Sequence, residues 1–319
     1  MADPSEKLVL KPGVVTPFLS NFGMSTDGES FHFQECDMSN KNIEQLNKTI
    51  EEAKEVYIVN LSLNNIADPS ALKELHNLVH LDLSKNKIKN ISIFTNEDCF
   101  LQLKYLDLSS NKFGDFAAFK CPKLEYLDIS DNKLEKQNEG WTGHPNIKVL
   151  KAKDNKFKTF APFKNMPKLE ELYLANNNLS ALNGYEGLPA LKRLHLRRNK
   201  IEKIEDEIPE LPALEYLNLR SNKIPNMENL VKLLQYPALT DINVINCPVE
   251  LSFSSMNVFV AEMLIKNPKM TRFCKVDITD AHKLEAVFLA KFQFGKAEEE
   301  RKRLEEEERL KAEAEANEG

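Results

Sequence analysis

The chain has 319 residues, enough for one large or two ordinary domains, and 42% of them are hydrophobic, enough to bury a sizeable core. Its amino terminus, MADPSEKLVLKPGVV, lacks a basic lead followed by an apolar run, and no stretch approaches the roughly 20 apolar residues of a membrane span. A soluble, non-secreted protein with no membrane partner is therefore expected. The net charge of -6 is concentrated at the carboxyl end, where ten acids and five bases stand from Ala297 onward; the near-neutral body offers no basic stripe for nucleic acid. Five widely spread cysteines (Cys36, Cys99, Cys121, Cys247, Cys274) include no CxxC pair, which points to reduced cytosolic thiols and not to zinc or a disulfide framework.

In chain order, residues 1–32 read as an extended lead. A degenerate unit follows from Phe33 to Ile43, and then a pattern LxxLxLxxNxL returns nine times, beginning at Val56, Leu78, Leu103, Leu124, Ile147, Leu169, Leu191, Leu214 and Leu239. The spacing stays between 21 and 25 residues. Self-similarity at this period is the mark of a solenoid in which each coil buries its apolar face only against its neighbours. The pattern resembles that of leucine-rich repeats. The expected fold class is therefore α/β: a right-handed solenoid of about ten coils over 33–249, with a parallel sheet on its concave side.

Each repeated position has a physical job. The first, fourth and sixth residues of the unit should point inward from a short strand. The asparagines Asn64, Asn86, Asn111, Asn132, Asn155, Asn177, Asn199 and Asn222 should be buried where the chain leaves the strand, satisfying backbone groups that no ladder reaches; Cys247 replaces the asparagine in the last unit. Prolines stand two residues before the first leucine in six consecutive units, at Pro122, Pro145, Pro167, Pro189, Pro212 and Pro237, where a fixed φ suits the entry to a strand. The return segments carry Phe94, Phe116, Phe119, Phe160, Phe163 and Leu182 as packing residues.

A solenoid also needs its ends covered. Residues 250–279 read as the carboxyl-terminal cap, a helix through Val258, Met263 and Leu264 followed by Phe273 in the place of a fourth-position leucine. Residues 280–319 read as a helical tail, first amphipathic and then charged. Leu284, Val287, Phe288 and Phe292 recur at spacings of three and four, one greasy face that must bury itself on the solenoid end or on a partner. Beyond Ala297, acid-first pairs four apart suit an exposed helix, while Leu304 and Leu310 are too few for a coiled-coil seam.

No Gly-rich phosphate loop or nucleophile motif is present, so no catalytic residue, cofactor, metal or small-molecule substrate is expected. His76 and His80, four apart, fall in a turn and a strand, where they would not share a helical face as metal ligands. Four tyrosines are candidates for partner contact on the concave face: Tyr105, Tyr126 and Tyr216 at the third position and Tyr173 at the fifth. Asp82, Asp107 and Asp128 recur at the fifth position, and either an acidic, partner-facing or calcium-binding ladder or an ordinary filling of the repeat, the favoured reading, accounts for them. Arg193, Arg197 and Arg198 add a basic spot of opposite sign, so the groove should be polarised. Leu284, Phe288 and Phe292 form a second candidate contact.

Two stretches, KLEELYLANNNLSALNGYEGLPALKRLHLRRNKI from Lys168 and ALEYLNLRSNKIPNMENLVKLLQYPALTDINVINCP from Ala213, carry a closer likeness. Together with the cap and the charged tail, they resemble the leucine-rich-repeat radial-spoke proteins of motile cilia. The resemblance implies a non-enzymatic structural subunit of the axoneme, placed in cytoplasm, cytoskeleton and cilium, with other radial-spoke or axonemal proteins as partners. Broader likeness extends to the repeat regulator of protein phosphatase 1 and to dynein-binding repeat proteins of the axoneme, which imply alternative roles as a phosphatase regulatory subunit or in dynein binding and assembly.

Overall fold

A computed structural model describes residues 8–25, 28–116, 118–137 and 140–318. Thirteen strands form one sheet: β1 (Leu19–Met24), β2 (Phe31–Asp37), β3 (Ile58–Asn60), β4 (His80–Asp82), β5 (Tyr105–Asp107), β6 (Tyr126–Asp128), β7 (Val149–Lys151), β8 (Glu171–Tyr173), β9 (Arg193–His195), β10 (Tyr216–Asn218), β11 (Asp241–Asn243), β12 (Arg272–Phe273) and β13 (Val276–Asp277). They lie side by side in sequence order, and β2 to β12 are parallel.

The register repeats without a slip. Leu81, Leu106, Leu127, Leu150, Leu172, Leu194 and Leu217 are paired one to the next at the centre of each strand, and all are buried. The flanking first and sixth positions, such as Leu169 and Leu174, are buried too. Return segments close the other side of the core with an aromatic spine. Phe116 packs at 4.4 Å from Trp141 and at 6.1 Å from both Phe157 and Phe163, while Phe160 meets Tyr185 at 5.2 Å.

The asparagines are buried in a ladder that ties coil to coil. Asn177 donates from Nδ2 to the carbonyls of Leu174 in its own coil (3.1 Å) and Ala152 in the coil before (2.9 Å), and its Oδ1 accepts the Phe157 N–H. At Cys247 the thiol takes over this role and donates to the Leu219 carbonyl at 3.3 Å. The residue before each asparagine, from Leu63 to Ser221, sits at φ between 52° and 58°. This left-handed step costs about 1–2 kcal/mol for a non-glycine residue, and main-chain bonds to the next coil, such as Lys85 N–H to Ser109 O, hold it. Five of the six prolines take the second position of a tight turn whose first carbonyl accepts the N–H three residues on, as Cys121 does from Leu124; before Pro145 the His144 Nδ1 accepts the Ile147 N–H instead.

The ends depart from expectation on one side. Residues 8–24 are not an extended lead: Leu10 and Val15 are buried, and β1 pairs antiparallel with β2 to cover the first coil. An uncovered first strand would present unpaired backbone groups, and β1 supplies its partners. Residues 1–7 of the expected lead lie outside the described residues. Helix α1 (Met227–Lys232) lies in the return segment before β11. At the other end α2 (Met256–Lys266) buries Phe259, Val260, Met263 and Leu264, leaves Val258 half-exposed, and is capped by the Ser255 hydroxyl on the Val258 N–H. Phe273 in β12 fills the fourth-position slot beside Ile242, and a turn through Cys274 and Lys275, both left-handed, folds β13 back. The 39-residue α3 (Asp280–Glu318) follows and packs on α2. All five cysteines are free and buried, and burial pushes the thiols of Cys36, Cys121 and Cys274 up to about 12.

Candidate partner-binding surfaces

Because side chains alternate along a strand, the third and fifth positions of each repeat face outward on the open side of the sheet. There the four predicted tyrosines do not stand apart but join two stacks. His80 lies over Tyr105 (3.9 Å between ring centres) and Tyr105 over Tyr126 (4.2 Å); further on, Tyr173 lies over His195 (4.2 Å), which tilts against Tyr216 (4.9 Å). Lys151 bridges the stacks, its Nζ 4.9 Å from the Tyr126 ring and 5.8 Å from that of Tyr173. Lys153 sits 4.9 Å above Tyr173, and the Arg193 guanidinium 4.4 Å above Tyr216. The result is one aromatic and cationic ladder from β4 to β10, roughly 29 Å long at about 4.8 Å per strand.

The tyrosines are half-buried by one another. Desolvation and the neighbouring Asp128 carboxylate raise the Tyr126 hydroxyl to about 12, and desolvation with Glu171 raises Tyr173 to about 12. Both are neutral donors at physiological pH. Burial lowers His195 to about 4, helped by Arg193, so this ring is neutral as well. The ladder therefore presents flat, uncharged faces with cations laid over them.

Charge is ordered along the sheet. Asp82, Asp107 and Asp128 are paired in register on β4 to β6, and Lys151 is the next residue in that row. Each aspartate also closes the turn that ends its strand, because Oδ1 accepts the N–H two residues on, from Ser84, Ser109 and Ser130, at 2.8–2.9 Å. Asp128 is buried and Asp107 half-buried, and desolvation raises the Asp107 carboxyl with its acidic neighbours adding to the effect. The basic half holds Lys151, Lys153, Arg193, Arg197 and Arg198, with Glu171 and Asp241 among them. Arg197 is half-buried with no hydrogen-bond partner at Nε, while Arg198 is exposed on the left-handed turn.

Two apolar surfaces lie at opposite ends of the sheet. On α3, Ala286 is buried and Leu289 packs on the core, whereas Leu284, Phe288 and Phe292 follow one another four apart on the opposite side, 59–69% exposed. The predicted stripe thus exists, but it faces solvent; the solenoid end takes the other side of the helix. At the amino-terminal end, Phe22, Met24, Phe31, Phe33 and Ile58 form a second exposed patch on the open sheet face, with Phe22 rings 6.0 Å from Phe31 and 5.3 Å from Phe33.

Among the described residues no group of His, Cys, Asp and Glu could hold a metal ion, and no helix is long and apolar enough to cross a membrane. Models of the leucine-rich-repeat families match residues 145–201 and 185–224, and residues 74–92, 103–115 and 120–136. The fold is a leucine-rich-repeat solenoid. No curated protein matches the chain. Among solved structures, an internalin from Listeria monocytogenes is 20% identical with a TM-score of 0.60, over 77% of this chain and 68% of its own. The APL1 leucine-rich-repeat domain is 18% identical at TM-score 0.57, over 76% and 68% respectively. The LRIM1/APL1C complex contributes a chain 19% identical at TM-score 0.56, over 67% and 39%.

Within the solenoid, the structure brings together Tyr105 with Tyr126, and Tyr173 with Tyr216 through His195, but separates Leu284, Phe288 and Phe292 onto a different end. Sequence reasoning weighed His80 only as a metal ligand and passed over His195, Lys151 and Lys153, although the third and fifth positions of the repeat could have found three of the four. It also passed over the Phe22 patch. Alternation through Phe31, Phe33 and Glu35 was the available signal; the pairing that adds Phe22 and Met24 was not readable.

Proposed function

We propose that this solenoid is a non-enzymatic, protein-binding scaffold of the ciliary axoneme, a radial-spoke subunit that grips a segment of a neighbouring spoke protein on its open sheet face. The ladder from His80 to Tyr216 supports the binding role: stacked, rigid aromatics with little rotamer entropy to lose are favoured anchors. The order of charge along it, acidic on β4 to β6 and basic from β7, suits a partner segment of the reverse order. Similar folds include the LRIM1/APL1C complex, which supports association with protein. The spoke assignment rests on the resemblance of the stretches from Lys168 and Ala213.

The test expresses tagged protein in a ciliated cell and follows it through salt-washed axonemes. Retention of the wild type, with loss of Tyr126→Ala/Tyr173→Ala from the axoneme, is the expected result. Truncating two anchors should lower affinity about 30-fold or more. A wild type that washes out of axonemes while binding a phosphatase catalytic subunit, or a motor heavy chain, would replace the spoke reading.

A further inference from the structure

We propose that the chain associates head to tail with a second copy of itself, the α3 stripe of one molecule seating on the Phe22 patch of the next. Each of the two surfaces gathers several exposed apolar side chains at one end of the sheet. Phe22, Met24 and Phe31 are each more than half exposed at one end, and Leu284, Phe288, Phe292 and Phe294 at the other. An aromatic side chain offers about 150–250 Å², so the two surfaces together would remove roughly 1,000 Å² of apolar surface from water. That is about what a specific, modest interface needs.

Among the described residues, neither surface is covered within one molecule. The stripe begins at Leu284, four residues into α3, and α3 is fixed to α2 beyond the last coil. The patch lies on β1 and β2 at the other edge of the sheet, roughly 48 Å away at about 4.8 Å per strand. The faces also differ in kind. One is the flat side of an antiparallel pair, with Glu35 half-buried and Asp37 exposed along β2 beside it. The other is a convex helix with Lys291 inside the stripe and Lys296 over the Phe292 ring at 4.5 Å, although Glu285 also borders it. Acid beside the patch and lysine along the stripe favour patch against stripe over patch against patch.

Such a contact is heterologous, so it leaves one free patch and one free stripe in every dimer and continues. This sets its signature apart from a two-fold dimer. Sedimentation velocity of the full chain on the order of 10–100 µM, a range suited to weak interfaces, should show growth past the dimer with concentration. Phe22→Ser/Phe31→Ser and Phe288→Ser/Phe292→Ser each change exposed side chains and should keep the wild-type circular dichroism and Trp141 fluorescence. Each variant alone should be monomeric. Mixed in equal amounts they should form a dimer and stop there, because the first retains a stripe and the second a patch. A wild type that stays monomeric over this range overturns the proposal. So does a variant that dimerises alone, which indicates a two-fold contact, or a mixture that fails to dimerise. None of these outcomes depends on the spoke reading, which is decided in axonemes.

Discussion

Leu172 and Leu284 both occupy positions that periodicity marks as apolar, yet Leu172 is fully buried and Leu284 is 60% exposed. The difference lies in what stands next to each. Leu172 has Leu150 on one side and Leu194 on the other, in coils of the same shape. Leu284 lies in the first turns of α3, and among the described residues no coil stacks against it. A period of 22 residues fixes a side chain's neighbours as well as its direction, whereas a helical stripe fixes direction alone.

The comparison breaks if substitutions at the two sites cost the same. Leu172→Ala should lower stability by about 2–5 kcal/mol, through lost burial and the cavity left behind, visible as a clear fall in melting temperature. Leu284→Ala serves as the control: exposed substitutions usually stay within about 0.5 kcal/mol.

A second expectation concerns His144, which is 3% exposed and held by burial at about 4; its Nε2 lies 3.2 Å from the Cys121 carbonyl. In the unfolded chain this histidine titrates near 6.5. Between those values the unfolded state binds the proton and the native state does not. The stabilisation is therefore complete above about pH 6.5 and is lost as pH falls toward 4, by up to about 3 kcal/mol. Urea unfolding of the wild type and of His144→Asn across this window should give a shallower pH slope for the variant. Equal slopes would show that His144 does not titrate differently on folding.

The ladder supplies a smaller effect. Asn177→Ala leaves the Ala152 carbonyl and the Phe157 N–H without that partner, at about 1–3 kcal/mol for a buried group left unmade. The smallest change sharpens the picture of the sheet face. Removing one ring from the stack, Tyr126→Ala, should cost about 0.5–1.5 kcal/mol, because Tyr126 is half-buried between Tyr105 and Lys151 and not a freely exposed side chain. Chemical denaturation can rank all of these.

What could be read from the sequence follows the same division. Strand centres, buried asparagines and proline turns were legible because each recurs and the period leaves one arrangement that buries them all. The tyrosines were legible as outward-facing for that reason, though not as stacks. Stacking depends on which residue occupies the same position one coil away, and His80 and His195 supply the missing rings. Asp107 and Asp128 fit both a partner-facing ladder and an ordinary filling of the repeat, and their bonds to Ser109 and Ser130 make them turn-closing residues in either case. β1 was not legible at all. Leu19–Met24 lies outside the repeat and gains its structure from an antiparallel partner, so no period announces it.

At Asn132 the ladder has a gap: its Oδ1 has no hydrogen-bond partner, whereas those of Asn64, Asn86, Asn111, Asn155, Asn177, Asn199 and Asn222 accept main-chain N–H groups. The same two coils are joined a second time on the return side, where Asp115 and Phe116 pair in parallel with Lys136 and Gln137. A stack pulled from its ends therefore meets a second seam at the joint that lacks one side-chain bond.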